Sequence, residues 1–144
     1  MSNSNNLKEV VYTARVEFGD CDPAGIVWFP NFFRWIDSAS RHFFIECGVP
    51  HWSETEQTMG VIGTPLVDTH AKFIKTATYG DVLQIHTAIT EWRTKSFVQR
   101  HRVMRGDDLI MRCDEVRIFA TGLENQAPGI RATAIPEEIR RLCA

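Results

Sequence analysis

Phe32, Ile36, Ala39, Phe43 and Cys47 recur at intervals of three and four residues, which is the spacing of one apolar face of an α-helix. Pro30 suits a first helical position, because its missing N–H would be unpaired there anyway. Gly48 and Pro50 supply a stop. The pattern predicts a helix from Asn31 to Cys47, about 25 Å long at 1.5 Å per residue. A helix this rich in phenylalanine cannot lie on a surface, so the rest of the chain has to wrap around it.

The rest reads as strands. Val10 to Phe18 alternates after its first residue and predicts a strand. An irregular stretch follows the helix from Pro50 to Gly60. Further strands are predicted over Val61 to Thr78, bent at Gly63-Thr64-Pro65, then over Val82 to Arg93, Ser96 to Arg105, Leu109 to Thr121 and Ile130 to Ala134. Tyr79-Gly80-Asp81, Thr94-Lys95 and Gly106-Asp107-Asp108 are short enough for antiparallel hairpins. Pro136 to Leu142 predicts a short closing helix. One long apolar helix followed by antiparallel strands is an α+β pattern, and 144 residues predict a single domain over 1–144. A sheet wrapped around one helix leaves an edge strand, so self-association through that edge is expected.

Several chemistries drop out. Lys and Arg number 16 against 18 Asp and Glu, so the net charge of −2 disfavours a general polyanion binder and nucleic acid. The four cysteines (Cys21, Cys47, Cys113 and Cys143) form no C-x-x-C pair, and the five histidines form no H-x-x-x-H pair; no metal and no cofactor are expected. No nucleophile elbow, Walker loop or dinucleotide fingerprint is present. Met1 to Asn6 is polar, without the apolar core of a signal peptide, and no run approaches membrane-spanning length. A soluble, cytoplasmic protein with reduced thiols is the expectation.

Three groups of residues remain as candidates. Asp20 and Asp22 flank Cys21 in a loop dense in Asp, Pro and Gly that runs straight into the helix. Backbone N–H groups at a helix start lack intrahelical partners and carry about half a positive charge. The N–H of Phe29 is the donor to single out. A carboxylate and an electropositive amide facing one spot suit acyl transfer, although the same segment reads equally as a turn with solvated aspartates. Asp37 shares a helical row with Phe33, Ser40 and Phe44. An acid among aromatic rings needs a partner. That partner is either a polar ligand group or Arg34 or Arg41. Arg93 and Lys95 flank a tight turn where they can converge on a phosphate, or merely solubilise strand ends.

The segment E-F-G-D-C-D-P-A-G-I-V-W-F-P-N (Glu17 to Asn31) strongly resembles the start of the 4-hydroxybenzoyl-CoA thioesterases of the aspartate-dependent hotdog type. R-W-I-D-S-A-S-R (Arg34 to Arg41), I-G-T-P (Ile62 to Pro65), E-W-R-T-K-S-F-V-Q-R-H (Glu91 to His101) and D-E-V-R-I-F-A (Asp114 to Ala120) match in the same order. The resemblance implies a hotdog fold, with a long helix wrapped by an antiparallel sheet and assembled as a homotetramer, a dimer of dimers. It implies hydrolysis of an aromatic acyl-CoA thioester, with Asp22 as nucleophile or general base and the Phe29 N–H polarising the carbonyl. Asp37 would accept a hydrogen bond from the ring hydroxyl. Arg93, Thr94 and Lys95 would hold the CoA phosphates, helped by Arg131, and Trp52, Thr64, Pro65 and Leu66 would line the pantetheine and acyl pocket.

The chain also departs from the pattern. Trp28-Phe29-Pro30-Asn31-Phe32 stands where well-known members carry W-Y-P-N-Y, Phe33 replaces a histidine, and the loop Gly122 to Gly129 differs. A backbone amide does not depend on its side chain, so these changes bear on the ring substituent rather than the chemistry. A broader or aliphatic acyl-CoA thioesterase and a non-catalytic CoA-binding protein are the competing readings.

Overall fold

The predicted helix forms, displaced by one residue: α1 spans Pro30–Glu46. The computed structural model describes residues 7–122 and 129–144, so Met1 to Asn6 and most of the Gly122 to Gly129 loop lie outside the described residues. Every apolar position that set the period is buried, from Phe32 at 4% exposed to Cys47 at 6%.

Around α1 run β1 (Glu9–Arg15), α2 (Trp52–Met59), β2 (Leu66–Phe73), β3 (Val82–Trp92), β4 (Ser96–Arg105), β5 (Asp108–Ile118), β6 (Ala120–Gly122), β7 (Ile130–Ala132) and α3 (Glu137–Leu142). Five strands make an antiparallel sheet in the order β1-β3-β4-β5-β2, and β6 pairs with β7. This is the hotdog arrangement that the resemblance implies. Strand β2 is an edge: it pairs with β5 on one side, and Leu66, Val67 and Phe73 are exposed. Among the described residues no helix is long and apolar enough to cross a membrane.

Six expectations change. The first strand stops at Arg15 because Phe18–Asp20 form a 3-10 turn, in which the Glu17 N–H donates to Asp20 Oδ2 at 2.8 Å. Pro50 to Gly60 is not irregular: it holds α2, closed by Gly60 in the left-handed region at φ 73°. The long strand over Val61 to Thr78 shrinks to β2. Residues 79–81 make no hairpin, since β2 and β3 take different partners. The strand ending at Thr121 divides into β5 and β6, and the expected Ile130 to Ala134 strand is the shorter β7.

The core has two apolar halves. One surrounds the first half of α1, where Phe32, Trp35, Ile36 and Ala39 meet Leu83, Ile85, Val103 and Met111. The other surrounds the second half, where Phe43, Phe44 and Cys47 meet Ile89, Phe97, Phe119 and Ile139. Between them lies a polar band. Ser40 donates to Gln99 Oε1 at 2.5 Å, and Thr87, His101, Glu115 and Arg117 are all buried.

Candidate active site

The loop before α1 is a hairpin whose shape follows from D-P-A-G. Asp22 accepts the Gly25 N–H at its carbonyl, 2.9 Å, and donates its own N–H to Ile26 O, 2.8 Å. Asp at the first turn position, Pro at the second and Gly last suit a type I turn, and Gly25 at φ 83° supplies the left-handed residue that closes such a hairpin. Asp22 Oδ1 accepts the Ala24 N–H at 2.9 Å. Thr78 secures the loop by donating to Gly25 O at 2.7 Å.

This geometry separates two acids that the sequence leaves equivalent. Both oxygens of Asp20 are used, one by Arg34 at 2.9 Å and one by the Glu17 N–H. Asp22 Oδ2 has no partner among the described residues. Asp22 lines an open cleft of about 570 Å³ with Phe18, Cys21, Pro23, Gly25, Thr78 and Tyr79. Phe18 and Tyr79 were not singled out from sequence. They stand edge to face at 6.0 Å, and Phe18 is 81% exposed.

Phe29 caps α1, and among the described residues its N–H donates to no protein atom, whereas the Trp28 N–H reaches Asp20 O at 2.9 Å. The helix dipole and the missing bond together make it a free electropositive donor. Phe29 belongs to a neighbouring apolar hollow of about 210 Å³, lined also by Phe32, Phe73 and Ala77. Asp22 and Phe29 thus line two separate hollows, and Ile26 of the second bridges through its backbone to Thr78 of the first.

Asp37 departs from expectation. Its side chain is 74% exposed rather than enclosed by aromatic rings, and neither Arg34 nor Arg41 pairs with it. Arg34 is taken by Asp20, while Arg41 lies over the Trp52 ring at 4.4 Å and donates to Pro50 O. The partner of Asp37 is Arg117, whose Nη2 lies 3.1 Å from Asp37 Oδ1.

Arg117 also gathers the next candidates. Its Nη1 donates to Thr64 O at 2.9 Å, and Leu66 stands opposite it in the β2–β5 register. Pro65 accepts the Ile118 N–H at 3.2 Å, and Trp52 lies under Gly63 against Phe44 and Phe119. Asp37, Trp52, Thr64, Pro65 and Leu66 therefore form one neighbourhood. Arg93, Thr94 and Lys95 form another at the β3–β4 turn. Arg93 pairs with Glu91 at 2.6 Å, and Arg140 of α3 donates to Arg93 O while lying over Trp92. Arg131 is exposed on β7 opposite Thr121, and the chain beyond it reaches that turn, where the Ile135 N–H meets Thr94 O at 3.0 Å.

Glu115 holds the buried side of Arg117. Burial pushes its carboxyl up, but hydrogen bonds from His101 and Arg117 outweigh that, leaving it below the usual glutamate range. A carboxyl lowered in the folded state contributes stability in full above its unfolded value, about 4.3, and loses it as pH falls through the folded value. Urea stability is therefore expected to decline in acid, and the decline to be shallower in Glu115→Gln. Parallel acid limbs would contradict this.

The thioesterase-like superfamily matches residues 16–142. The chain is 51% identical to the 4-hydroxybenzoyl-CoA thioesterase of Pseudomonas sp. strain CBS-3 over 142 residues, covering 95% of this chain and 99% of the relative. An aspartate-to-asparagine mutant of a 4-hydroxybenzoyl-CoA thioesterase, solved with 4-hydroxybenzoyl-CoA, superposes with a TM-score of 0.89 at 49% identity, covering 94% and 99% of the two chains. A gentisyl-coenzyme A thioesterase superposes with a TM-score of 0.77 at 33% identity, covering 93% and 98%. The family match spans most of the sequence, and the similarity to the Pseudomonas enzyme runs through the Asp22 loop, α1 and the sheet: this chain belongs to the thioesterase-like superfamily.

Proposed function

We propose that the chain hydrolyses an aromatic acyl-CoA thioester, 4-hydroxybenzoyl-CoA, to the free acid and CoA. The observation that carries this reading is an acid with a free oxygen on the loop that leads into a helix-start amide with no partner among the described residues, in a chain 51% identical to a 4-hydroxybenzoyl-CoA thioesterase. Asp22 attacks the thioester carbonyl or activates water against it. The Phe29 N–H donates to the carbonyl oxygen as negative charge develops on it; such a donor is worth about 3 kcal/mol.

Eight residues separate Phe29 from Asp37, about 12 Å of helix axis. That interval matches the length of one aromatic ring with a hydrogen bond of about 3 Å at each end. In this reading the ring hydroxyl donates to Asp37, and Trp52, Thr64, Pro65 and Leu66 line the pantetheine and acyl pocket. The exposed edge β2 and the apolar surface running from it through Phe73 to Phe29 support self-association into a homotetramer.

Arg93, Thr94 and Lys95 hold the CoA phosphates, with Arg131 as a helper. Arg93→Ala and Lys95→Ala are then expected to raise KM with little change in kcat, because phosphate binding is equal in ground and transition states. A pure kcat effect would contradict that role. The reading as a whole is tested by release of free CoA thiol from 4-hydroxybenzoyl-CoA. Binding without release would favour a CoA-binding protein instead.

A further inference from the structure

The buried polar band leads somewhere. His101 Nε2 lies 2.8 Å from Glu115 Oε1 and His101 Nδ1 lies 2.8 Å from Thr87 Oγ1, so the imidazole is held on both sides. A carboxylate only accepts, which puts the Nε2 proton toward Glu115. Glu115 in turn grips Arg117 with both oxygens, Oε1 to Nε at 3.0 Å and Oε2 to Nη2 at 3.1 Å. The remaining edges of the guanidinium point outward, Nη1 to Thr64 O and Nη2 to Asp37 Oδ1.

Exposure runs from zero at His101 to 6% at Arg117, and then to 74% at Asp37. The ladder therefore starts in the core and ends at a single surface carboxylate. Stability is a poor reason for it, because well-packed apolar residues commonly do as well as buried ions. Its geometric consequence is specific. A two-point grip by Glu115 fixes the guanidinium plane, and the fixed plane fixes Asp37 through one oxygen. Asp37 Oδ2 has no partner among the described residues.

We propose that Arg117, gripped by a Glu115 that His101 braces, is a positioning residue that holds Asp37 so that its free oxygen accepts one hydrogen bond from a donor substituent on the aromatic acyl group. This rests on the reading that Asp37 meets the acyl ring. With Glu115 and Asp37 both anionic around one Arg117, the outlet is net negative. It admits a hydroxyl or amino substituent and refuses a carboxylate, or an ether that has no proton to give.

The test is the ratio of kcat/KM for 4-hydroxybenzoyl-CoA to that for benzoyl-CoA. Arg117→Lys keeps the charge and loses the two-point grip, and is expected to lower the ratio by about tenfold to a hundredfold. Asp37→Ala is expected to lower it at least as far, and adding Arg117→Lys to Asp37→Ala to change it no further. Glu115→Gln, which keeps its volume, is expected to lower the ratio in the same direction and serves if Arg117→Lys does not fold. General loosening of the fold slows both substrates together and leaves the ratio alone. An unchanged ratio in Arg117→Lys beside a lowered one in Asp37→Ala overturns the proposal while sparing the Asp37 reading. An unchanged ratio in Asp37→Ala overturns that reading and the proposal with it.

Discussion

Asp22→Asn is expected to lower kcat by about 10³- to 10⁴-fold while leaving affinity for the thioester within a few-fold. Asparagine fills the same volume, and its carbonyl can still accept the Ala24 N–H, so the D-P-A-G hairpin has no reason to open. What is lost is the second oxygen as a base or nucleophile. The Phe29 amide survives the change, because it belongs to the backbone at the start of α1. Residual hydrolysis above background then measures that amide alone. A variant with near-normal kcat would mean that another group does the chemistry. Asp20 is a poor substitute, since Arg34 and the Glu17 N–H occupy both its oxygens.

Phe44→Ala is expected to destabilise the fold by about 4 kcal/mol. Phe44 is fully buried at the centre of an aromatic cluster, with ring centroids 5.5 Å to Phe43, 5.7 Å to Trp52, 5.6 Å to Phe97 and 5.8 Å to Phe119. These rings come from α1, α2, β4 and the start of the final segments, so the resulting cavity has rigid walls on every side. The urea midpoint should fall with an unchanged slope, because the surface exposed on unfolding hardly differs. A loss below about 1 kcal/mol would mean that the cluster collapses into the gap. The effect should reach function through Trp52, which packs on Phe44 and beneath the Gly63–Leu66 neighbourhood.

Periodicity made α1, β3 and β4 legible, because their inward positions recur at the spacing their geometry demands and most of them are apolar, with Ser40, Thr87, Gln99 and His101 as polar exceptions. Helix α2 was illegible for the opposite reason. Its residues W-S-E-T-E-Q-T-M are almost all polar, and only Thr55 is fully buried. Strand partners were only partly legible: β3 and β4 follow each other, whereas β2 and β3 are adjacent in sequence and lie apart in the sheet. The Asp22 loop could be read because a turn is local chemistry. The partner of Asp37 could not, since Arg117 lies 80 residues away. A faint signal existed. Cys113, Glu115 and Arg117 alternate inward along β5, so two charges occupy core positions where apolar residues belong.

The most direct measurement sets 4-hydroxybenzoyl-CoA beside benzoyl-CoA and hexanoyl-CoA with the wild-type chain, and follows free thiol. The highest kcat/KM is expected for the hydroxylated aromatic thioester, a lower one for benzoyl-CoA and the lowest for hexanoyl-CoA. Equal or faster turnover of hexanoyl-CoA would contradict that order.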